Sequence, residues 1–104
     1  MTLDESLGPS LSVRRVGPSR LSIAGELDAY SAPTLVSLVA DEFRDGASGP
    51  LELDCSDVSF IDASGVSALI VAAAQARRTG RRLRLVRRSR CVDRFLELCA
   101  LSDL

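Results

Sequence analysis

A chain of 104 residues, 46% hydrophobic and 26% charged, is long enough for one core and too short for two domains. That balance excludes a disordered polyelectrolyte, and no apolar run reaches membrane-spanning length. The net charge of −1 conceals an uneven distribution, because residues 1–75 carry −7 and residues 76–104 carry +6, with arginine supplying all 13 basic side chains.

Residues 1–9 read as a loose leader without the positive start and apolar core of a secretory signal, so the cytoplasm is the expected compartment. A single domain is expected over residues 10–104. LSVRRV (11–16) and RLSIAG (20–25) alternate apolar and polar side chains around the turn-forming GPS, the pattern of a hairpin. YSAPTLVSLVADEFRDG follows, with Ser31 as N-cap, Pro33 in the first turn, and Leu35, Leu38, Val39, Glu42 and Phe43 at helical spacing. Gly46 is the expected stop.

LELDCSDVSFI sets Leu51, Leu53 and Cys55 against Glu52 and Asp54, predicting a strand over 51–55 and a buried descent through Val58, Phe60 and Ile61. GVSALIVAAAQARR (65–78) is helix-forming and so apolar that most of its surface should be covered, with Thr79 and Gly80 ending it. RLRLV (82–86) alternates as a strand, and RCVDRFLEL places Val92, Phe95, Leu96 and Cys99 on one face of a third helix. The order predicts an α/β fold: a mixed sheet of about four strands, opening with the hairpin and continuing through right-handed crossovers, with helices packed on it.

Within SFIDASGVSAL, Ser64 falls where a strand's carboxyl end meets a helix N-terminus, the rim at which open α/β sheets present functional loops, and the turn carrying Asp28 opens at the same rim. Serine there can serve as an N-cap worth about 1 kcal/mol. Asp62 can satisfy nearby backbone donors in the same way, and Gly65 can allow a tight turn. Nucleophilic catalysis is excluded on chemistry, since the chain has neither histidine nor lysine to activate the hydroxyl. A third reading is phosphorylation, for which a helix N-terminus offers free amides and a positive dipole end.

VSFIDASGVSAL resembles the signature loop and helix of STAS domains, the sulfate transporter and anti-sigma factor antagonist family, and LSIAGELDAYSAPTL resembles that family's other hallmark. The similarity runs from about residue 10 to residue 101, and within the family the chain resembles the small single-domain anti-anti-sigma factors of bacterial sporulation and stress control. The resemblance implies a transcription regulator that works by partner switching, with Ser64 as phosphoacceptor. Many relatives read D-S-S-G, whereas Ala63 here leaves one candidate serine. It further implies a partner-binding surface of Asp28, Asp62, Ala63, Ser64, Gly65 and Val66. The implied partners are an ATP-binding serine kinase that is also the anti-sigma factor, and a protein phosphatase. Relatives usually continue past the third helix with a short strand and a final helix, so the ending LCALSDL reads as a trimmed C-terminus. The alternative within the family is a non-phosphorylated interaction module in a transporter or lipid-transport complex.

No phosphate loop, dinucleotide fingerprint or metal-ligand spacing occurs in the sequence, so the reading is a switch without cofactor or metal, not an enzyme. Eight arginines between Arg77 and Arg90 raise nucleic-acid binding, but Arg82 and Arg84 alternate with Leu83 and Leu85 as a solvated strand face should, without aromatic residues for stacking. Neither nucleic acid nor membrane is an expected partner. Cys55, Cys91 and Cys99 cannot all pair within one chain, and Cys91 and Cys99 would stand about 12 Å apart on one helix, so all three read as small buried hydrophobes.

Overall fold

Alternation over residues 11–25 builds the expected hairpin, and the rest of the chain adds helices and parallel strands to it. The computed structural model describes residues 4–6, 11–44 and 49–101. In chain order these form β1 (Asp4–Ser6), β2 (Leu11–Gly17), β3 (Arg20–Leu27), α1 (Ala32–Phe43), β4 (Leu51–Ile61), α2 (Ala63–Arg78), β5 (Leu83–Val86) and α3 (Arg90–Leu98). The strands lie side by side in the order β1-β2-β3-β4-β5. The first two pairings are antiparallel and the last two parallel. The mixed sheet and its three helices match the predicted architecture. The fifth strand comes from Asp4–Ser6, which pairs with Ser12–Arg14 where the sequence suggests only a loose leader. The expected stop at Gly46 lies outside the described residues.

One face of the sheet is apolar. Leu11 and Val13 of β2, Leu21, Ile23 and Leu27 of β3, and Leu51, Leu53, Cys55, Val58 and Ile61 of β4 join one core with Leu35 and Val39 of α1, Leu69 and Ala72 of α2, and Val92 and Leu96 of α3. The opposite face carries the polar alternates, among them Ser12, Arg14, Ser22, Glu52 and Asp57. Arg15 and Glu42 tie β2 to α1. Buried Arg81 ties the end of α1 to the following loop, donating to the Gly49 carbonyl at 2.7 Å and lying 5.0 Å from the Phe43 ring centre.

β4 departs from simple alternation. It is one strand over all eleven residues, not a strand ending at 55. Its register against β3 shifts twice, between Ser22 and Ala24 and again between Gly25 and Glu26. Asp54 holds the first irregularity, its Oδ1 accepting from the Ser56 amide at 2.9 Å and hydroxyl at 2.8 Å. At the second, the Ser59 hydroxyl donates to the Gly25 carbonyl at 3.2 Å. Each extra residue resets which side chains face inward, so Val58 and Ile61 reach the core while Phe60, expected inside, is 46% exposed. β4 therefore delivers Asp62 to the rim with Ile61 buried beneath it.

Candidate functional site

The rim is built by two loops, one following β3 and one following β4. In the first, the Asp28 Oδ1 accepts from the amides of Tyr30 at 3.0 Å and Ser31 at 3.1 Å, closing the turn that leads into α1. Ser31 stands at the N-cap of α1, but its side chain makes no capping bond. Its buried hydroxyl faces back, donating to the Glu26 carbonyl at 3.2 Å and accepting from the Asp28 amide at 3.2 Å. This arrangement pins the turn and leaves Tyr30 71% exposed beside Asp28.

In the second loop the cap of α2 belongs to Asp62, whose Oδ1 accepts from the Gly65 amide at 3.0 Å. The first helical bond runs from the Val66 amide to the Asp62 carbonyl at 3.0 Å. Serine and aspartate are both good caps, and the end of β4 decides between them by putting Asp62 in extended backbone at the junction. Ser64 is thereby freed from capping and occupies the second helical position. It is half-buried, and no described residue hydrogen-bonds its hydroxyl. The amides of Ala63 and Ser64 belong to the first turn, where a helix has no internal acceptor to offer.

The two loops are held together by close backbone approach. The Asp62 amide donates to the Leu27 carbonyl at 3.4 Å. A β-carbon built on Gly65 would lie 2.4 Å from that same Leu27 oxygen and 2.8 Å from Ile61 Cγ1. Gly65 thus serves helix-to-strand contact inside α2, where the sequence suggests a tight turn.

Of the six residues expected to meet a partner, Ala63 is exposed, and Asp28, Asp62 and Ser64 are partly so. Gly65 is buried and Val66, 4% exposed, belongs to the core, so these two set the position of the loop without presenting side chains. Sequence reasoning missed Leu27, whose role is its carbonyl, and the exposed Tyr30. It also missed the exposed face of α2, where Ser67, Ile70 and Val71 continue from Ala63 at helical spacing. An apolar helix was expected to be covered, yet Ile70 and Val71 are exposed.

Elsewhere the charges are quiet. Among the described residues no group of three or more His, Cys, Asp or Glu gathers to hold a metal ion, and no helix is long and apolar enough to cross a membrane. The exposed arginines of β5 and its flanks lie toward the other edge of the sheet.

Comparison with known proteins agrees with this architecture. The "Anti-sigma-B factor antagonist" of Bacillus subtilis (strain 168) is 29% identical over 85 residues, covering 82% of this chain and 76% of that protein. The solved structure of the anti-sigma factor antagonist SpoIIAA in its unphosphorylated form superposes with a TM-score of 0.72 at 20% identity, covering 90% of this chain and 84% of that one. The Bacillus cell fate determinant SpoIIAA in its phosphorylated form gives 0.66 at 19% identity, covering 90% and 86%. At such identities the superpositions establish the shared fold. A family profile described as "Mlab, STAS domain" matches residues 11–104, nearly the whole chain, and on that match the protein belongs to the STAS domain family.

Proposed function

We propose that this protein is an anti-sigma factor antagonist whose binding is switched by phosphorylation of Ser64. The observation that carries the reading is the position of that hydroxyl, on the first turn of α2 in a partly exposed residue and free of any capping duty, which Asp62 performs instead. A helix N-terminus tolerates the added phosphate, so the modified protein stays folded. What changes is the surface, because about −1.5 to −2 charges arrive beside Asp62 and close to the Asp28 turn. A partner that buries this rim must then desolvate the phosphate, at a cost of several kcal/mol, and about 1.4 kcal/mol is tenfold in affinity.

In this reading the unphosphorylated chain engages an anti-sigma factor that is also a serine kinase, through Asp28, Tyr30, Asp62, Ala63 and the exposed strip of α2. Sigma factor is released until Ser64 is modified. The kinase brings ATP, Mg²⁺ and the groups that position phosphoryl transfer, and a phosphatase resets the serine. This chain contributes a hydroxyl and a shaped surface, not catalysis, and acts in the cytoplasm. The relatives named above are described as anti-sigma factor antagonists, and one of them has been solved with and without phosphate, which supports the reading. The test is capture of the candidate kinase by wild type, Ser64→Ala and Ser64→Asp. Capture by the first two and loss with the third is expected. Equal capture by all three, with no phosphate transfer from ATP, would favour a docking module without a switch.

A further inference from the structure

The sheet face turned away from the helices holds charge that the fold leaves unused. Register aligns Arg14, Ser22 and Asp54 in one row across β2, β3 and β4, with Ser12, Ala24 and Asp57 in the adjacent row. The small side chains of these rows leave a trough of two adjoining hollows, about 320 and 280 Å³, both lined by Arg14, Ser22 and Asp57. Arg14 and Asp57 are exposed, and among the described residues neither has an ion-pair partner. Arg20, at one end, is committed to Glu52 at 2.8 Å. Asp4 is the register neighbour of Arg14 on β1.

Arg87 adds the second cation. It follows β5 with φ of 52°, the left-handed region that arginine seldom occupies and that persists where surrounding structure holds it. Its guanidinium lines the trough 3.7 Å from Asp54 Oδ2, too far for a hydrogen bond, so its donors stay available. Asp54 itself is 6% exposed and has its Oδ1 filled by Ser56, which makes it a floor charge and not a ligand group.

The row of Arg14, Ser22 and Asp54 is therefore flanked by a cation at each end, Arg14 from β2 and Arg87 from beyond β5, and the anionic group of Asp57 on β4 stands in the adjacent row between them. A simple anion would meet Asp57 and Asp54, and a simple cation would meet two guanidiniums. A molecule carrying one charge of each sign satisfies both. We propose that this trough binds a small zwitterion, its carboxylate or phosphate monoester on Arg14 and Arg87 and its ammonium group on Asp57, with the Ser12 and Ser22 hydroxyls beneath. The site is on the sheet face opposite α2 and is independent of the Ser64 reading.

Titration calorimetry of the full chain tests this with two zwitterions, O-phosphoethanolamine and glycine, against two single-charge probes, inorganic phosphate and ethanolamine. Saturable binding of at least one zwitterion is expected, about tenfold or more tighter than either single-charge probe, and weakened at least about tenfold by Arg14→Ala and by Asp57→Asn. Amide shift mapping on the wild type guards against a folding defect in the variants, with changes expected at Ser12, Arg14, Ser22 and Asp57. No saturable binding of either zwitterion, equal binding of a single-charge probe, shifts confined to other residues, or variants that bind like wild type would each overturn the proposal.

Discussion

Gly65 in the first turn of α2 faces the backbone carbonyl of Leu27 at the end of β3 so closely that a β-carbon would come within 2.4 Å of the oxygen. That contact couples the two loops of the rim, since Leu27 leads directly into the Asp28 turn and Gly65 is capped by Asp62. The position of Ser64 relative to Asp28 is therefore set by backbone packing, not by side chains that a partner could rearrange.

Gly65→Ala should lower stability even though alanine favours helix over glycine. The clash is with backbone and with Ile61, neither of which can swing aside, and overpacking should outweigh the gain in propensity by about 1–2 kcal/mol. The melting temperature should fall by about 5–15 °C, and an unchanged or raised value would contradict the close approach.

Asp62→Ala should cost about 1 kcal/mol through loss of the cap on the Gly65 amide, whereas Asp62→Asn, which keeps an acceptor oxygen, should cost less. Ser64→Ala, which removes no capping bond, should leave the urea midpoint nearly unchanged. A larger loss for Ser64→Ala than for Asp62→Ala would return the cap to serine.

Asp54 supplies a pH signature. Burial alone would raise its pKa, but the Ser56 amide and hydroxyl, together with the charges of Arg87 and Arg20, outweigh burial and hold it below the ordinary 3.8. A carboxyl depressed on folding contributes stability that is present above its unfolded value and lost as pH falls through its folded one. The stability gap between wild type and Asp54→Asn should be widest above about pH 4 and narrow below it. Urea titrations at neutral and acid pH measure this, and a gap that widens on acidification would contradict it.

The three cysteines are free and differ in exposure, with Cys55 buried, Cys91 half-buried and Cys99 exposed, so the expectation of three buried thiols holds for Cys55 alone. Burial first, and then the neighbouring Asp54 charge, push the Cys55 thiol up to about 12, with Arg88 opposing. Cys91 donates to the Val58 carbonyl at 3.2 Å. Maleimide labelling of the native protein should modify Cys99 first and Cys55 only on unfolding. Early modification of Cys55 would contradict the packing of β4.

Much of this fold is legible in the sequence because local pattern and tertiary burial agree. Alternation in β2 and β3 and helical spacing in α1 and α3 put Val13, Ile23, Val39 and Leu96 in the core, as their spacing demands. β4 is the exception. Its irregularities arise from the Asp54–Ser56 and Ser59–Gly25 hydrogen bonds, which depend on the pairing with β3 and have no signature in β4 alone, and they turn Phe60 outward. The rim was legible as a pair of motifs, but not the division of labour within it. Asp62, Ser64 and Gly65 each suit several roles by residue type, and only the meeting of α2 with Leu27 assigns the cap, the free hydroxyl and the close approach. The uncovered Ile70 and Val71 were illegible for a simpler reason, since hydrophobicity does not report whether a neighbour is present.

Intact-mass measurement of wild type and Ser64→Ala after incubation with ATP and the candidate kinase bears most directly on the switch. A gain of one phosphate by the wild type and none by Ser64→Ala is the predicted result. A Ser64→Ala protein that still takes up phosphate, or a wild type that captures the kinase yet is never modified, would contradict it.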